Sequence, residues 1–213
     1  MSEKRALVTG ASEGIGQAFA EALATEGYQV TLVARSQERL QAARARLSGA
    51  GHEVLVADLS TPAGIERVAA ELAGGYTLLI NNAGVGSHGA FAATDLLQLQ
   101  AMMRLNCDAV MQLSHAFLRG SKKGDALINV ASVLGLLGMP QVAGLYAATK
   151  AFVITFSAIG RRALALASVV TMASAATSEL TRLAISRRWW PALPPNRRLL
   201  RGVAGMAGFP QKV

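Results

Sequence analysis

A chain of 213 residues, 52% hydrophobic and 16% charged, has material for one sizeable core and lacks the composition of a disordered or membrane protein. Its one cysteine, Cys107, excludes an internal disulfide, and His52, His88 and His115 are too scattered to build a metal cluster, so the expectation is a metal-free protein of a reducing cytoplasm. The net charge of +8 resembles a nucleic-acid signal until it is located: residues 1–160 carry 12 basic and 12 acidic side chains, while residues 161–213 carry 9 basic ones against Glu179 alone.

In chain order, Met1 to Arg5 has no signal-peptide architecture and runs straight into ALVTG (6–10), an apolar strand ending at a glycine. The apolar spacing predicts a helix from about Gly14 to Glu26, with Phe19, Ala20 and Leu23 on one face. A second strand follows over 29–35, then a helix over 36–51 with Ser36 as N-cap and a glycine stop. The third strand is EVLVADL (53–59), and Thr61-Pro62 opens the next helix in the positions those residues favour. TLLINNAG (77–84) is the fourth strand, 95–118 a longer helix, ALINVAS (126–132) the fifth strand, and a helix from about Tyr146 to Arg162 comes next. Strands this apolar, alternating with helices, describe a parallel sheet covered on both faces, a doubly wound α/β nucleotide-binding architecture.

The uncharged run from Ala126 to Thr149 is 24 residues long, enough to span a bilayer. It also holds Asn129, Pro140, Gln141 and several glycines, a mixture suited to a strand, a loop and a helix start rather than to one lipid-facing helix. Within and just after it lie Ser132, Tyr146 and Lys150. Tyr146 and Lys150 are four residues apart and share a helix face. Taken singly, the three read as a strand-end serine, a core tyrosine and a surface lysine.

At the other end, TGASEGIG (9–16) puts Gly10, Gly14 and Gly16 where a strand turns into a helix. Glycines there permit a tight turn and close backbone approach, and the helix N-terminus offers N–H groups to a pyrophosphate. Behind that turn follow, in order, Asp58-Leu59, NNAG (81–84), Asn106, Ser132 and Tyr146-Ala-Ala-Thr-Lys150. With these pieces the chain resembles the short-chain dehydrogenase/reductase family over roughly residues 4–160.

The resemblance implies a single Rossmann-type domain over 1–162 and hydride transfer between a nicotinamide cofactor and a carbonyl or alcohol substrate. Tyr146 is then the general acid/base. A free phenol titrates near ~10, and an adjacent ammonium together with an oxidised nicotinamide ring favours its ionised form. Ser132 is implied to position the substrate oxygen, Lys150 to grip the nicotinamide ribose, and Asn106 to hold a water linking Lys150 to solvent. Gly10, Ser12, Gly14, Ile15 and Gly16 form the phosphate turn, Asp58 and Leu59 flank the adenine, and Asn82, Ala83 and Gly84 line the cofactor cleft. Asn81 and Asn82 read equally well as strand-end residues that stabilise the sheet.

Arg35 lies 19 residues after Gly16, where an acidic residue would contact the ribose 2′-hydroxyl of NAD. An arginine there favours the 2′-phosphate, so NADP is expected over NAD, although Glu13 inside the turn opposes it. His88, in the loop after the fourth strand, reads as a solvated histidine before a substrate contact, and Cys107 as a small buried residue. Expected partners are a small carbonyl or alcohol and a second copy of the chain through helices around 95–118 and 146–162, with no nucleic acid and no membrane.

After residue 162 the pattern decays. Residues 163–180 read as helix or strand, with VVTMASAATSEL (169–180) echoing a sixth strand, and Trp189-Trp190 followed by prolines and arginines shows no period. No Pro-Gly occurs where the family has one. Residues 163–213 are therefore expected to be an atypical basic tail, through a shifted reading frame or a genuinely different C-terminus, with the last strands atypical or missing. The alternative function is a catalytically impaired or non-catalytic dinucleotide-binding protein, and a third is a basic interaction protein using the tail.

Overall fold

In the computed structural model, which describes residues 4–86, 90–137, 140–163 and 168–174, the apolar runs pair as six strands. These are β1 (Arg5–Thr9), β2 (Gln29–Ala34), β3 (Glu53–Val56), β4 (Leu78–Asn81), β5 (Ala126–Ser132) and β6 (Ser168–Ser174), in the order β3-β2-β1-β4-β5-β6. Every pairing is parallel. The connecting helices are α1 (Gly14–Thr25), α2 (Gln37–Arg44), α3 (Pro62–Leu72), α4 (Leu96–Met103), α5 (Ala109–Gly120), α6 (Leu134–Leu137) and α7 (Pro140–Ala163).

Because side chains alternate along a strand, each strand feeds both faces of the sheet. Ala6, Val8, Val30, Leu32, Ile80 and Ile128 pack with Phe19 and Leu23 of α1 and Leu40 of α2. Leu7, Val33, Leu79 and Leu127 pack on the other face with Ile65 and Val68 of α3 and Leu113 and Phe117 of α5. Each such buried side chain contributes on the order of 1.5–3 kcal/mol. This two-sided burial is why the strands read as continuous apolar runs.

The expected caps form: the Ser36 hydroxyl accepts from Arg39 N at 3.3 Å and the Thr61 hydroxyl from Gly64 N at 3.1 Å, with Pro62 in the first turn of α3. Some boundaries differ. The helix expected over 36–51 ends at Arg44, and Gly49 and Gly51 take positive φ in the connection to β3. The expected helix over 95–118 is broken by a π-helical turn at Arg104–Asp108. Asn106, whose side-chain hydrogen bonds are described below, sits in that wider turn. Helix α7 starts at Pro140 rather than near Tyr146, a residue type suited to a helix's first turn.

Of the alternatives for the last strands, a sixth is present: β6 pairs with β5 along seven residues, from Ala126↔Ser168 to Ser132↔Ser174. The edge of β5 is therefore covered. The remainder of the basic tail, including Trp189 and Trp190, lies outside the described residues, as does His88.

Candidate active site

The strand order reverses direction between β1 and β4, so the loops leaving their carboxyl ends part and open a crevice. A cleft of about 410 Å³ occupies that position. Gly10 takes φ +64°, and a Cβ at Gly16 would fall on the carbonyl oxygen of Gly10, so strand and helix meet too closely for side chains. Glu13, at the N-cap of α1, makes no side-chain cap bond, which leaves the N–H groups of the first turn to other acceptors. Gly10, Ser12 and Ile15 line the cleft; Gly14 and Gly16 shape the turn without lining it.

One end of the cleft is polar and carries charge. Arg35 and Arg39 line it with Ser36, Asp58 and Leu59. Arg39 Nη1 pairs with Glu13 Oε2 at 3.3 Å, with both side chains well exposed. Burial pushes the Asp58 carboxyl up, but the Ser60 hydroxyl and N–H, bonded to Oδ1 at 2.7 and 2.9 Å, and the Arg35 charge outweigh it and hold it below the ordinary value. An anionic carboxylate thus faces the cleft near a guanidinium.

At the other end, Tyr146 and Lys150 line the cleft together with Val130 and with Asn82, Ala83 and Gly84. Lys150 is buried, its Nζ donating to Val130 O at 2.9 Å and lying 5.8 Å from the centre of the Tyr146 ring. Desolvation lowers its pKa to about 8, partly opposed by Cys107. The Cys107 thiol, buried in the π turn, is pushed up to about 11 by desolvation and by Asp108, with Lys150 pulling the other way. It stays a neutral packing residue across the ordinary pH range.

Asn106 and Ser132 stand behind the lining. The Asn106 carboxamide is held at both ends: Nδ2 donates to Val85 O at 2.9 Å and to Thr149 Oγ1 at 3.0 Å, and Oδ1 accepts from Val85 N at 3.0 Å. Ser132 ends β5, buried, and its hydroxyl accepts from Leu134 N at 3.3 Å.

The motifs leave several residues unannounced. Thr9 Oγ1 donates to Ile80 O at 3.3 Å and accepts from the N–H groups of Asn82 and Ala83 at 3.0 Å each. Asn82 Nδ2 returns to the carbonyls of Thr9 and Gly10 at 3.0 and 3.2 Å, so its side chain ties two strand ends while its backbone lines the cleft. The signal for Thr9 was a hydroxyl at the end of a buried strand; for Thr149 it was a polar residue between Tyr146 and Lys150. Arg39 had none beyond its place in the first turn of α2.

The fold recurs in known proteins. The profile of the short chain dehydrogenase family matches residues 4–190, which extends past the motif-bearing stretch. The 3-oxoacyl-acyl-carrier-protein reductase FabG of Vibrio cholerae serotype O1 is 37% identical over 159 residues, 72% of this chain and 64% of that protein. This chain therefore spans less than two thirds of that relative's length. Among solved structures, a short-chain dehydrogenase from Sphingobium yanoikuyae in complex with NADPH superposes with a TM-score of 0.78 at 28% identity, covering 98% of this chain and 97% of the other. A short chain dehydrogenase from Burkholderia cenocepacia J2315 in complex with NADP gives 0.68 at 34% identity, over 76% and 68%. With a glycine turn at a strand-order reversal, the Tyr146–Lys150 pair in the same cleft and a family match over most of its length, the chain belongs to the short-chain dehydrogenase family.

Proposed function

We propose that the protein is an NADPH-dependent oxidoreductase that moves a hydride between the nicotinamide and a carbonyl or alcohol carbon. The observation that carries this reading is the presence of Tyr146 and Lys150 in the cleft that the glycine turn and Arg35 also line. The residues there fit a dinucleotide: an uncapped helix N-terminus behind Gly10 suits a pyrophosphate, and Arg35 suits a 2′-phosphate. The NADPH and NADP complexes of the two structural relatives support the same choice over NAD.

NADPH, when bound, supplies the hydride. Tyr146 donates its phenolic proton to the substrate oxygen in reduction and takes it back in oxidation. Lys150 places a positive charge beside the ring and grips the ribose. Ser132 orients the substrate oxygen from the end of β5, and Asn106 holds a water through which Lys150 reaches solvent. Both amide hydrogens of Asn106 already have acceptors, which leaves its oxygens to take that water.

The reading extends to the setting. No helix among the described residues is long and apolar enough to cross a membrane. A single buried cysteine suits the cytoplasm, and recovery of the native protein in a membrane fraction would count against that placement. Met103 and Met111 are exposed apolar residues on the stretch expected to pair two copies, and a monomer in sedimentation velocity would count against the homodimer.

The test is a thermal shift with NADPH and NADH, then NADPH consumption against a panel of aldehydes and ketones. A larger shift with NADPH and turnover on some carbonyls are expected. No shift with either cofactor and no turnover would overturn the proposal.

A further inference from the structure

We propose that Thr149 is a positioning residue for the Tyr146–Lys150 pair, its hydroxyl joining the acid/base helix to the wall of the cofactor cleft. Thr149 is 1% exposed, one position before Lys150 and three after Tyr146. Its Oγ1 donates to the Tyr146 carbonyl at 2.7 Å and accepts from Asn106 Nδ2 at 3.0 Å. The first bond is a local one that threonines in helices often make. The second is not local, because it crosses 43 residues of sequence to the π turn.

The other end of Asn106 explains what the joint controls. Its carboxamide clasps both the N–H and the carbonyl of Val85, in the loop that leaves β4 and lines the cleft. One continuous set of bonds therefore runs from the cleft wall at Val85, through Asn106, through the Thr149 hydroxyl, to the backbone of Tyr146. Gly84 shows how little slack remains: a Cβ there would lie 3.2 Å from both Asn106 Oδ1 and Lys150 Nζ. Lys150 is anchored separately, to Val130 on β5. Thr149 is thus what registers α7 against the β4 loop, while Lys150 registers it against the sheet. A buried hydroxyl with a committed donor and a committed acceptor cannot be replaced by a methyl without freeing an amide hydrogen of Asn106.

The inference rests on Tyr146 being the acid/base, so its test has an arm that does not. Thr149→Val keeps the shape and removes the hydroxyl; Thr149→Ser keeps the hydroxyl. In a nitrogen-labelled sample, the Asn106 side-chain amide should be protected from hydrogen exchange in the wild type and in T149S. In T149V that exchange should quicken by roughly 5- to 10-fold, the worth of one hydrogen bond of typical strength. With NADPH and a reducible ketone, kcat of T149V should fall on the order of 10- to 100-fold, as for a small misplacement of reacting groups. The Kd for NADPH should change less than about twofold, because no bond to Lys150 is lost. T149S should stay within about threefold of wild type in every measurement, a result a purely packing role does not produce. Equal damage in T149S and T149V, or unchanged Asn106 exchange in T149V, overturns the joint. If the wild type reduces no carbonyl, the oxidoreductase proposal fails, and the exchange data still decide whether Thr149 holds Asn106. Should T149V not fold, the wild-type Thr149 hydroxyl proton serves instead: slow exchange supports the joint and fast exchange overturns it.

Discussion

Asn81 and Asn129 sit opposite each other in β4 and β5, and Asn81 Nδ2 donates to Asn129 Oδ1 at 2.9 Å. The same Nδ2 reaches Ser114 Oγ on α5 at 3.1 Å, and Asn129 Nδ2 reaches Ser157 Oγ on α7 at 3.0 Å. A polar chain thus crosses two neighbouring strands on one face of the sheet, the face of Leu79 and Leu127, and ties both α5 and α7 to it. Asn81 bonds across the two strands, and Asn82 ties strand ends while also lining the cleft.

Removing one member of that chain strands its partner. Asn129→Leu should cost about 1–3 kcal/mol, because the Asn81 amide and the Ser157 hydroxyl lose partners in a dry interior. The double variant Asn81→Leu, Asn129→Leu should recover part of the loss, since both ends become apolar together. Urea unfolding of the two singles and the double checks this; strict additivity would show that the asparagines act independently.

Tyr146→Phe keeps the ring against Gly86 and removes the phenolic proton. Carbonyl reduction should drop by ~100-fold or more, the usual worth of a general acid, with little change in NADPH affinity. Retention of more than about a tenth of the activity would assign the proton transfer to another group, since a general acid is typically worth ~100-fold.

At the charged end of the cleft, Arg35→Asp should weaken NADPH binding on the order of 10- to 100-fold and relatively favour NADH, as loss of a charge-assisted phosphate contact requires. Glu13→Gln should act oppositely but weakly. It releases Arg39 from an exposed ion pair, worth at most about 1 kcal/mol, so NADPH affinity should rise roughly two- to fivefold with NADH unchanged. Fluorescence titration with both cofactors reads each effect. Equal changes for the two cofactors would make these side chains structural.

The lysine carries a pH signature. Its folded pKa of about 8 lies below the ordinary value of 10.5, so between those values the unfolded chain holds more protons and folding stability rises with pH. The Cys107 thiol, raised from 9.0 to about 11, works in the opposite sense from pH 9 upward, where the folded chain holds the extra proton. The wild type should therefore gain stability between pH 8 and 9 and flatten above it, whereas Lys150→Met should lose that gain and only decline above pH 9. Denaturant unfolding from pH 7 to 10 tests it, and parallel curves for the two proteins would show that burial leaves Lys150 unperturbed. In the free enzyme, kcat/KM for reduction should also fall as pH passes about 8 and the lysine loses its charge.

Much of this protein is legible in its residues alone. Apolar runs such as ALVTG and ALINVAS, set between helical stretches, read as strands buried on both faces, and side-chain alternation sends Leu7 one way and Ala6 and Val8 the other. Ser36 and Thr61-Pro62 announce helix starts through local bonds that need no tertiary partner. The Tyr146–Lys150 spacing fixes a shared helix face for the same reason. What the tertiary structure decided depends on groups distant in sequence. In the π turn, Asn106 finds Val85 and Thr149, contacts that no periodicity in 95–118 encodes. Pairing of Ser168–Ser174 with β5 overrode an ambiguous composition, since a strand edge offers hydrogen bonds that a local pattern cannot display. Arg39 meets Glu13, and Thr149 meets Asn106, only once the sheet has brought separate elements to one edge. Local chemistry sets the elements; long-range hydrogen bonding and burial set the site.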